Sequence, residues 1–311
     1  MLSIGVDIGG TKIAAGVVHE DGRILARTSR RTPATDPELI EGAVIEAVRE
    51  LQADHQVVGV GIGAAGFVGA DRRTVVFAAN LAWRDCALAD DIESGVDLPV
   101  VVENDANAAG WAEYRFGAAK DSRNMLMLTV GTGLGGALVL DGNLVRGEGG
   151  FAGEVAHMTA VPDGQWCGCG RQGCLEQYTS GTALVRAGRH RAGTGHELYA
   201  PLLAAAGGEV ARIDGPLITQ LAEDGDTGAV ALLAELGEWL GFGAANVSAL
   251  LDPGTIVVGG GVSAAGELLL APARAAYDRH LTARAYRTVA HFAVASTGNE
   301  AGIIGAADLA R

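Results

Sequence analysis

The sequence predicts an α/β protein made of two related halves, on three observations. Short apolar runs that stop at glycine alternate with stretches patterned at helical spacing, as in strands covered by helices. A pattern of strand, Gly-rich turn, strand, Asp-Gly turn and strand occurs twice, at residues 6–26 and 128–147. The length of 311 residues passes the limit of about 250–300 for one core, so two domains or one large α/β unit are expected.

Taken in order, residues 2–8 read as a buried strand. Gly9, Gly10, Thr11 and Lys12 turn into a second strand over 13–18, and Asp21-Gly22 turns into a third over 23–31. Asp7 with these turn residues makes a polar loop in which backbone N–H groups, the Thr11 hydroxyl and the Lys12 charge could meet phosphate oxygens. It is not a Walker A loop, which would open a helix. Asp36 and Pro37 start a helix whose Leu39, Ile40, Ala43, Val44, Ala47, Val48 and Leu51 recur at helical spacing. A small-residue strand over 57–65 ends at Gly66. The loop at 77–83 sets Asn80 and Trp83 three apart, an amide and an indole that suit a sugar, although a loop Trp often only packs.

A strand then ends at Glu103, and a helix begins near Ala106 with Asp105 close to its N-cap. Ligands of open α/β sheets sit beyond the carboxyl ends of strands, which is where Asn104 and Asp105 fall. In the second copy, Thr129 takes the place of Asp7 and Gly131 that of Gly9. Gly131, Gly133 and Gly136 satisfy G-x-G-x-x-G, but a strand follows instead of a helix, so a dinucleotide fingerprint is excluded. Two phosphate-sized turns suggest a nucleotide held in a cleft between the halves. Residues 180–250 read as several helices, the longest from about Asp226 to Leu251. A strand over 255–258 stops at Gly259, Gly260 and Gly261, and a helix starting near Val262 or Ser263 would offer its N-terminus to an anion. A strand over 290–295 and a helix from Ala301 close the chain. The change from first to second half is placed near residue 110.

Three of the four cysteines, Cys167, Cys169 and Cys174, fall within eight residues as C-x-C-x4-C, with His157 the nearest fourth ligand. Three thiolates and an imidazole form a closed set of the structural-zinc kind, with no position left for a catalytic water. Three reduced thiols in a Gly-rich loop are the plainer alternative. Glu154 lies three residues before His157, and Glu176 two after the last cysteine, so a metal clip would hold all three in fixed relation. An imidazole can bind metal through one nitrogen and donate a hydrogen bond through the other. Cys86 stands alone, without an assigned role.

The 23 basic and 37 acidic residues leave a net charge of −14, which argues against nucleic acid or an anionic membrane as partners. Arg27, Arg30, Arg31, Arg186, Arg189 and Arg191 therefore read as solvated faces. Apolar stretches are broken by glycine well short of about 20 residues, and the clustered thiols suit a reducing compartment; a soluble, cytoplasmic protein is expected.

DIGGTK at 7–12, LTVGTGLGG at 128–136, GEGGFAGEVAHM at 147–158, CGCGRQGCLE at 167–176 and IVVGGGVS at 256–263 together resemble the ROK family of bacterial sugar kinases and repressors, across nearly the whole chain. The resemblance implies an actin-like, ribonuclease-H-type fold: a small domain of residues 1–110 with 297–311, and a large one of 111–296 carrying the zinc clip. It implies phosphorylation of glucose at the 6-hydroxyl by ATP with Mg2+, giving glucose 6-phosphate and ADP. It also implies Asp105 as base, with Asn80, Asn104, Glu154, His157 and Glu176 holding the hexose. Zinc would sit on His157, Cys167, Cys169 and Cys174. Gly10, Thr11, Lys12, Thr132, Gly133, Gly260 and Gly261 match the nucleotide motifs, flanked by Gly9 and Gly131 of the two turns. Homodimers or homotetramers are implied too. One departure is Ala156, where many members have glycine beside the histidine, so fine sugar specificity stays open between glucose and mannose, fructose or an N-acetylhexosamine. A sugar-sensing repressor of the family would carry a DNA-binding domain ahead of the first turn. Only six residues precede Asp7, and the charge is negative.

Overall fold

Alternation of apolar residues sets the first sheet. In the computed structural model, which describes every residue except Asn80, β1 (Leu2–Ile8) pairs antiparallel with β2 (Lys12–His19), and β2 with β3 (Ile24–Arg31). Helix α1 (Pro37–Gln52) starts at Asp36, whose carboxylate accepts the Leu39 amide at 3.2 Å, and buries Ile40, Val44, Ala47, Val48 and Leu51. Then come β4 (Val60–Ala64), β5 (Phe67–Val68), β6 (Val75–Phe77), β7 (Arg84–Cys86), α2 (Leu88–Val96), β8 (Val100–Asn104) and α3 (Asp105–Arg115). Strands β1, β4 and β8 run parallel, giving a sheet ordered β3-β2-β1-β4-β8, while β5-β6-β7 form a small sheet of their own.

The second series begins with β9 (Met125–Val130), β10 (Leu134–Leu140) and β11 (Asn143–Leu144). Its third strand has two residues where the sequence suggested a longer one. There follow α4 (Glu176–Thr179), α5 (Gly181–Gly193), α6 (Ala200–Ala205), α7 (Gly215–Glu223), α8 (Thr227–Leu251), β12 (Thr255–Gly259), α9 (Glu267–His280), β13 (His291–Val294) and α10 (Ala301–Leu309). The sheet order β11-β10-β9-β12-β13 repeats that of the first sheet position for position, so the twenty-residue sequence repeat is the visible part of a duplicated topology.

The chain divides into one unit of Met1–Leu126, Gly136–Gly153 and Ser296–Arg311, and a second of Met127–Gly135 and Glu154–Ala295. Residue 110, where the sequence suggested a change, lies inside α3. In the first unit α10 lies directly on the sheet because glycine lets it. A Cβ on Gly5 would stand 1.9 Å from the Ile303 carbonyl oxygen, and one on Gly61 1.8 Å from that of Ala306. In the second unit α8 spans 25 residues and is long and apolar enough to cross a bilayer by composition. Burial of most of its residues accounts for that composition, and Gly241 lets it lie close to α9, since a Cβ there would stand 2.0 Å from the Ala273 oxygen.

Candidate active site

In the first unit the carboxyl end of β8 carries the chemistry. Asn104 keeps an extended backbone, and its Oδ1 accepts the Asn107 amide at 3.0 Å, so Asn104 caps α3 and Asp105 is the first helical residue. Asp105 thus lies next to the cap, as the sequence suggested; both residue types cap well, and the extended one takes the role. Asn104 Nδ2 donates to the Gly66 carbonyl at 3.0 Å and to Asp105 Oδ1 at 3.2 Å, and the Ala106 amide donates to the same oxygen at 2.9 Å. Burial raises the Asp105 carboxyl above the ordinary carboxylate range despite these hydrogen bonds. Beneath it the buried Glu103 takes Arg146 Nε at 2.6 Å and Asn107 Nδ2 at 3.0 Å.

The turn after β1 is closed by the Gly9 amide on the Lys12 carbonyl at 3.0 Å. Asp7 is pushed up to about 6, first by burial and then by the charge of Asp105, with Lys12 opposing. Two carboxylates and one lysine leave this corner short of positive charge, which suits a divalent cation with oxygen ligands.

In the second unit the turn after β9 is closed in the same way, by the Gly131 amide on the Gly133 carbonyl at 3.0 Å. The amides of Gly9 and Gly131 are thus spent inside the turns. Glu176, at the start of α4, accepts the Leu134 amide through Oε2 at 3.3 Å, and Cys167 Sγ lies 3.5 Å from its Oε1. Gly181, the first residue of α5, donates to the Gly131 carbonyl at 2.8 Å. A cavity of about 1050 Å³ opens here, lined by Gly131, Thr132, Thr182, Arg186, Arg189 and Gly261 among others. Gly260 turns with φ +83°, and a Cβ on it would stand 2.5 Å from the Val130 oxygen. Residues Gly261–Ala265 form a 3-10 turn, and the α-helix begins only at Glu267. The expected helix N-terminus at 262 or 263 is therefore absent, because Gly266, with φ 55° and ψ −125°, interrupts the chain.

The cysteine loop folds back so that Thr159 bridges to Cys174 and Trp166 to Gln172. One ligand atom from each of His157, Cys167, Cys169 and Cys174 falls within 4.8 Å of the others. The Cys169 and Cys174 sulfurs are 3.6 Å apart, and Cys167 Sγ is 3.6 Å from His157 Nδ1. Zinc–sulfur bonds of ~2.3 Å at tetrahedral angles separate sulfurs by ~3.8 Å, so the donor set and its spacing fit zinc. Glu154 Oε2 lies 3.8 Å from His157 Nε2, so the imidazole turns one nitrogen to the sulfurs and the other to the carboxylate. Val155–His157 is a 3-10 turn, which still sets Glu154 and His157 side by side.

Asn80 lies outside the described residues. Trp83 is fully buried in the core of the first unit, so its indole packs rather than facing a sugar. Sequence reasoning passed over Glu103 and Arg146, which are 43 residues apart with no motif joining them. Arg186 and Arg189 are exposed, as their reading as solvated residues implied, and they also line the second unit's cavity; the spacing of α5 on its own carries no sign of that.

A sheet order used twice, with a Gly-rich turn after the first strand of each copy, defines the actin-like ATPase fold. Within that class residues 3–311 match the ROK family model, and the chain belongs to the ROK family. A glucokinase of Streptomyces coelicolor is 50% identical over 310 residues, 100% of this chain and 98% of its own length. A ROK family glucokinase from Streptomyces griseus, solved in complex with glucose and AMPPNP, matches with a TM-score of 0.90 at 50% identity, covering 100% of this chain and 99% of that one. A ROK hexokinase from Thermus thermophilus matches with a TM-score of 0.83 at 34% identity, covering 100% and 98%.

Proposed function

We propose that this chain transfers the γ-phosphoryl group of ATP to the 6-hydroxyl of glucose, giving glucose 6-phosphate and ADP. The observation that carries the reading is Asp105, a carboxylate raised by burial and fixed at a strand end by Asn104, in a chain half identical over its full length to a glucokinase. Asp105 accepts the 6-hydroxyl proton as that oxygen attacks the γ-phosphorus and the bond to ADP breaks. A carboxylate is a weak base for an alcohol, so the proton moves late, once the loose transition state has acidified the hydroxyl.

Asn80, Asn104, Glu154, His157 and Glu176 hold the hexose. Asn104 has both amide hydrogens engaged, so it contributes by accepting and by fixing Asp105. Gly10, Thr11 and Lys12 in one turn, with Thr132, Gly133, Gly260 and Gly261, receive the nucleotide, and Gly9 and Gly131 of the same nucleotide-binding turns shape them by closing them with their own amides. Mg2+ accompanies ATP and supplies charge neutralisation on its phosphates; Asp7 is the carboxylate that would hold it. Zinc on His157, Cys167, Cys169 and Cys174 keeps the imidazole oriented toward the sugar. By family resemblance we also place the enzyme in the cytoplasm as a homodimer or homotetramer.

The test is ADP release from MgATP across a panel of hexoses, with Asp105→Asn alongside. Activity on glucose should exceed that on other hexoses, and Asp105→Asn should lower turnover by at least about 100-fold with the fold intact. Near-normal turnover in the variant removes Asp105 as base. Sugar binding without ADP release in either protein makes the chain a sensor.

A further inference from the structure

The first unit holds a second cavity, of about 470 Å³, lined by Arg72, Arg115, Arg146 and Arg311 together with Trp111 and Asn143. In a chain of net charge −14 such a concentration of guanidinium groups needs an account. Two carboxylates reach them. Asp308 takes Arg115 at 2.9 Å, Arg311 at 2.5 Å and the Trp111 indole N–H at 2.8 Å. Glu103 takes Arg146 at 2.6 Å and lies 3.9 Å from Arg72 Nε. Glu20, also at the cavity, is engaged by the Met1 amine at 2.8 Å. The four guanidiniums therefore exceed the charge of the carboxylates that serve them.

Each carboxylate serves two guanidiniums, Asp308 those of Arg115 and Arg311 and Glu103 those of Arg72 and Arg146, and the buried donor without a partner lies in the second pair. Arg72 donates from Nη2 to the Leu309 carbonyl at 3.0 Å, but its Nε is buried with no hydrogen-bond partner. Among the described residues the terminal nitrogens of Arg146 have no acceptor. Burial first, and the neighbouring Arg146 second, hold the Arg72 guanidinium below its ordinary value. The Arg72 backbone is left-handed, with φ 57°, a conformation that costs a non-glycine residue energy and that recurs at ligand sites. Its carbonyl is tied to the Val102 amide of β8 at 2.8 Å, which keeps the side chain aimed at the cavity. A network that served only to fasten α10 would not need an unpaired donor on a strained residue beside a second cation.

We propose that this cavity binds a phosphate-class dianion, either free orthophosphate or the phosphate end of a small monoester, using none of the residues assigned to glucose or ATP. Planar guanidinium forks match phosphate oxygens in pairs, which is why arginine and not lysine suits such a site. The occupant would take up the donors of Arg72 and Arg146 and neutralise their excess charge.

Calorimetric titration of orthophosphate into protein saturated with glucose and AMPPNP tests this, with glycerol 3-phosphate as a second probe. Arg72→Gly is the informative variant, since glycine adopts the left-handed backbone without strain and so preserves the fold. Arg123→Gln, at an exposed pair with Asp141, is the control. One phosphate per chain should bind to wild type and to Arg123→Gln, and at least about 10-fold more weakly to Arg72→Gly. Phosphate should raise the melting temperature of wild type and not of Arg72→Gly. Tighter binding of glycerol 3-phosphate would assign the site to monoesters, and equal or weaker binding to the free ion. No binding at millimolar phosphate, or equal binding to Arg72→Gly, overturns the proposal and leaves a purely structural network.

Discussion

Asn104 Nδ2 stands 3.2 Å from Asp105 Oδ1 and 3.0 Å from the Gly66 carbonyl, so one amide fixes the carboxylate against the loop that follows β4. The same residue caps α3. Asn104→Ala should therefore do two separable things. Loss of the cap should cost about 1 kcal/mol, read as a shift in the urea midpoint. Loss of the carboxylate's position should cost about 10- to 100-fold in kcat, more than the stability change explains. A fall in stability with kcat unchanged would reduce Asn104 to a cap.

Asp7 gives a pH-dependent stability with a definite sign. Its pKa rises from 3.8 to about 6 on folding, so the folded state binds the proton more tightly. The stabilisation this provides is complete below about pH 4 and is lost as pH rises through 6, beyond which the buried charge costs ~3 kcal/mol. Asp7→Asn, measured without Mg2+, should melt above wild type at pH 8, and the advantage should vanish at pH 4. Equal melting temperatures at both pH values would contradict the raised pKa. Because Asp105 is raised as well and the two carboxylates interact, kcat/KM should fall on the acid side as the pair takes up a proton, with apparent values belonging to both groups.

Two glycines in one unit should respond oppositely to alanine. At Gly61 a Cβ meets the Ala306 carbonyl at 1.8 Å, and neither backbone can give way without lifting α10 from the sheet. Gly42 lies within α1 with nothing within 4 Å of its Cβ position. Gly61→Ala should lose more than about 3 kcal/mol or fail to fold. Gly42→Ala should gain about 0.5–1 kcal/mol through helix propensity. Denaturant midpoints decide both, and a Gly61→Ala midpoint equal to wild type would remove the close approach of α10.

These contrasts show which parts of the molecule could be read from the chain. Strands such as β1 and β12 announce themselves because recurring or continuous apolar residues end in glycine. The duplicated sheet was legible only over residues 6–26 and 128–147, where the Gly-rich and Asp-Gly turns constrain the sequence; the helices that follow each copy differ. Trp83 was open in sequence because an indole in a loop has the same local pattern whether it packs inward or waits for a ligand. The 3-10 turn after Gly260 was missed because its interruption depends on the conformation of Gly266, which three glycines in a row do not reveal. Arg72 and Glu103 are 31 residues apart, and their juxtaposition follows from tertiary folding alone.

The cysteine cluster supports the last prediction, because its four members do not share one environment. Cys167 and Cys174 are buried while Cys169 is exposed, so Cys169→Ser changes one donor atom and almost no packing. If the loop were held by packing alone, the variant would behave as wild type. If zinc holds it, removing one thiolate weakens the site by several kcal/mol and frees Cys167, which contacts both His157 and Glu176. Metal analysis should find one zinc per chain in wild type and well below one in Cys169→Ser. The variant should also melt lower and bind glucose about 10- to 100-fold more weakly, the range for loss of support behind a liganding group. Chelator-treated wild type should resemble the variant and recover when zinc is restored, while Cys169→Ser should not recover. Less than one zinc per chain in the untreated protein would mean that hydrogen bonds among the thiols, and not a metal, orient His157.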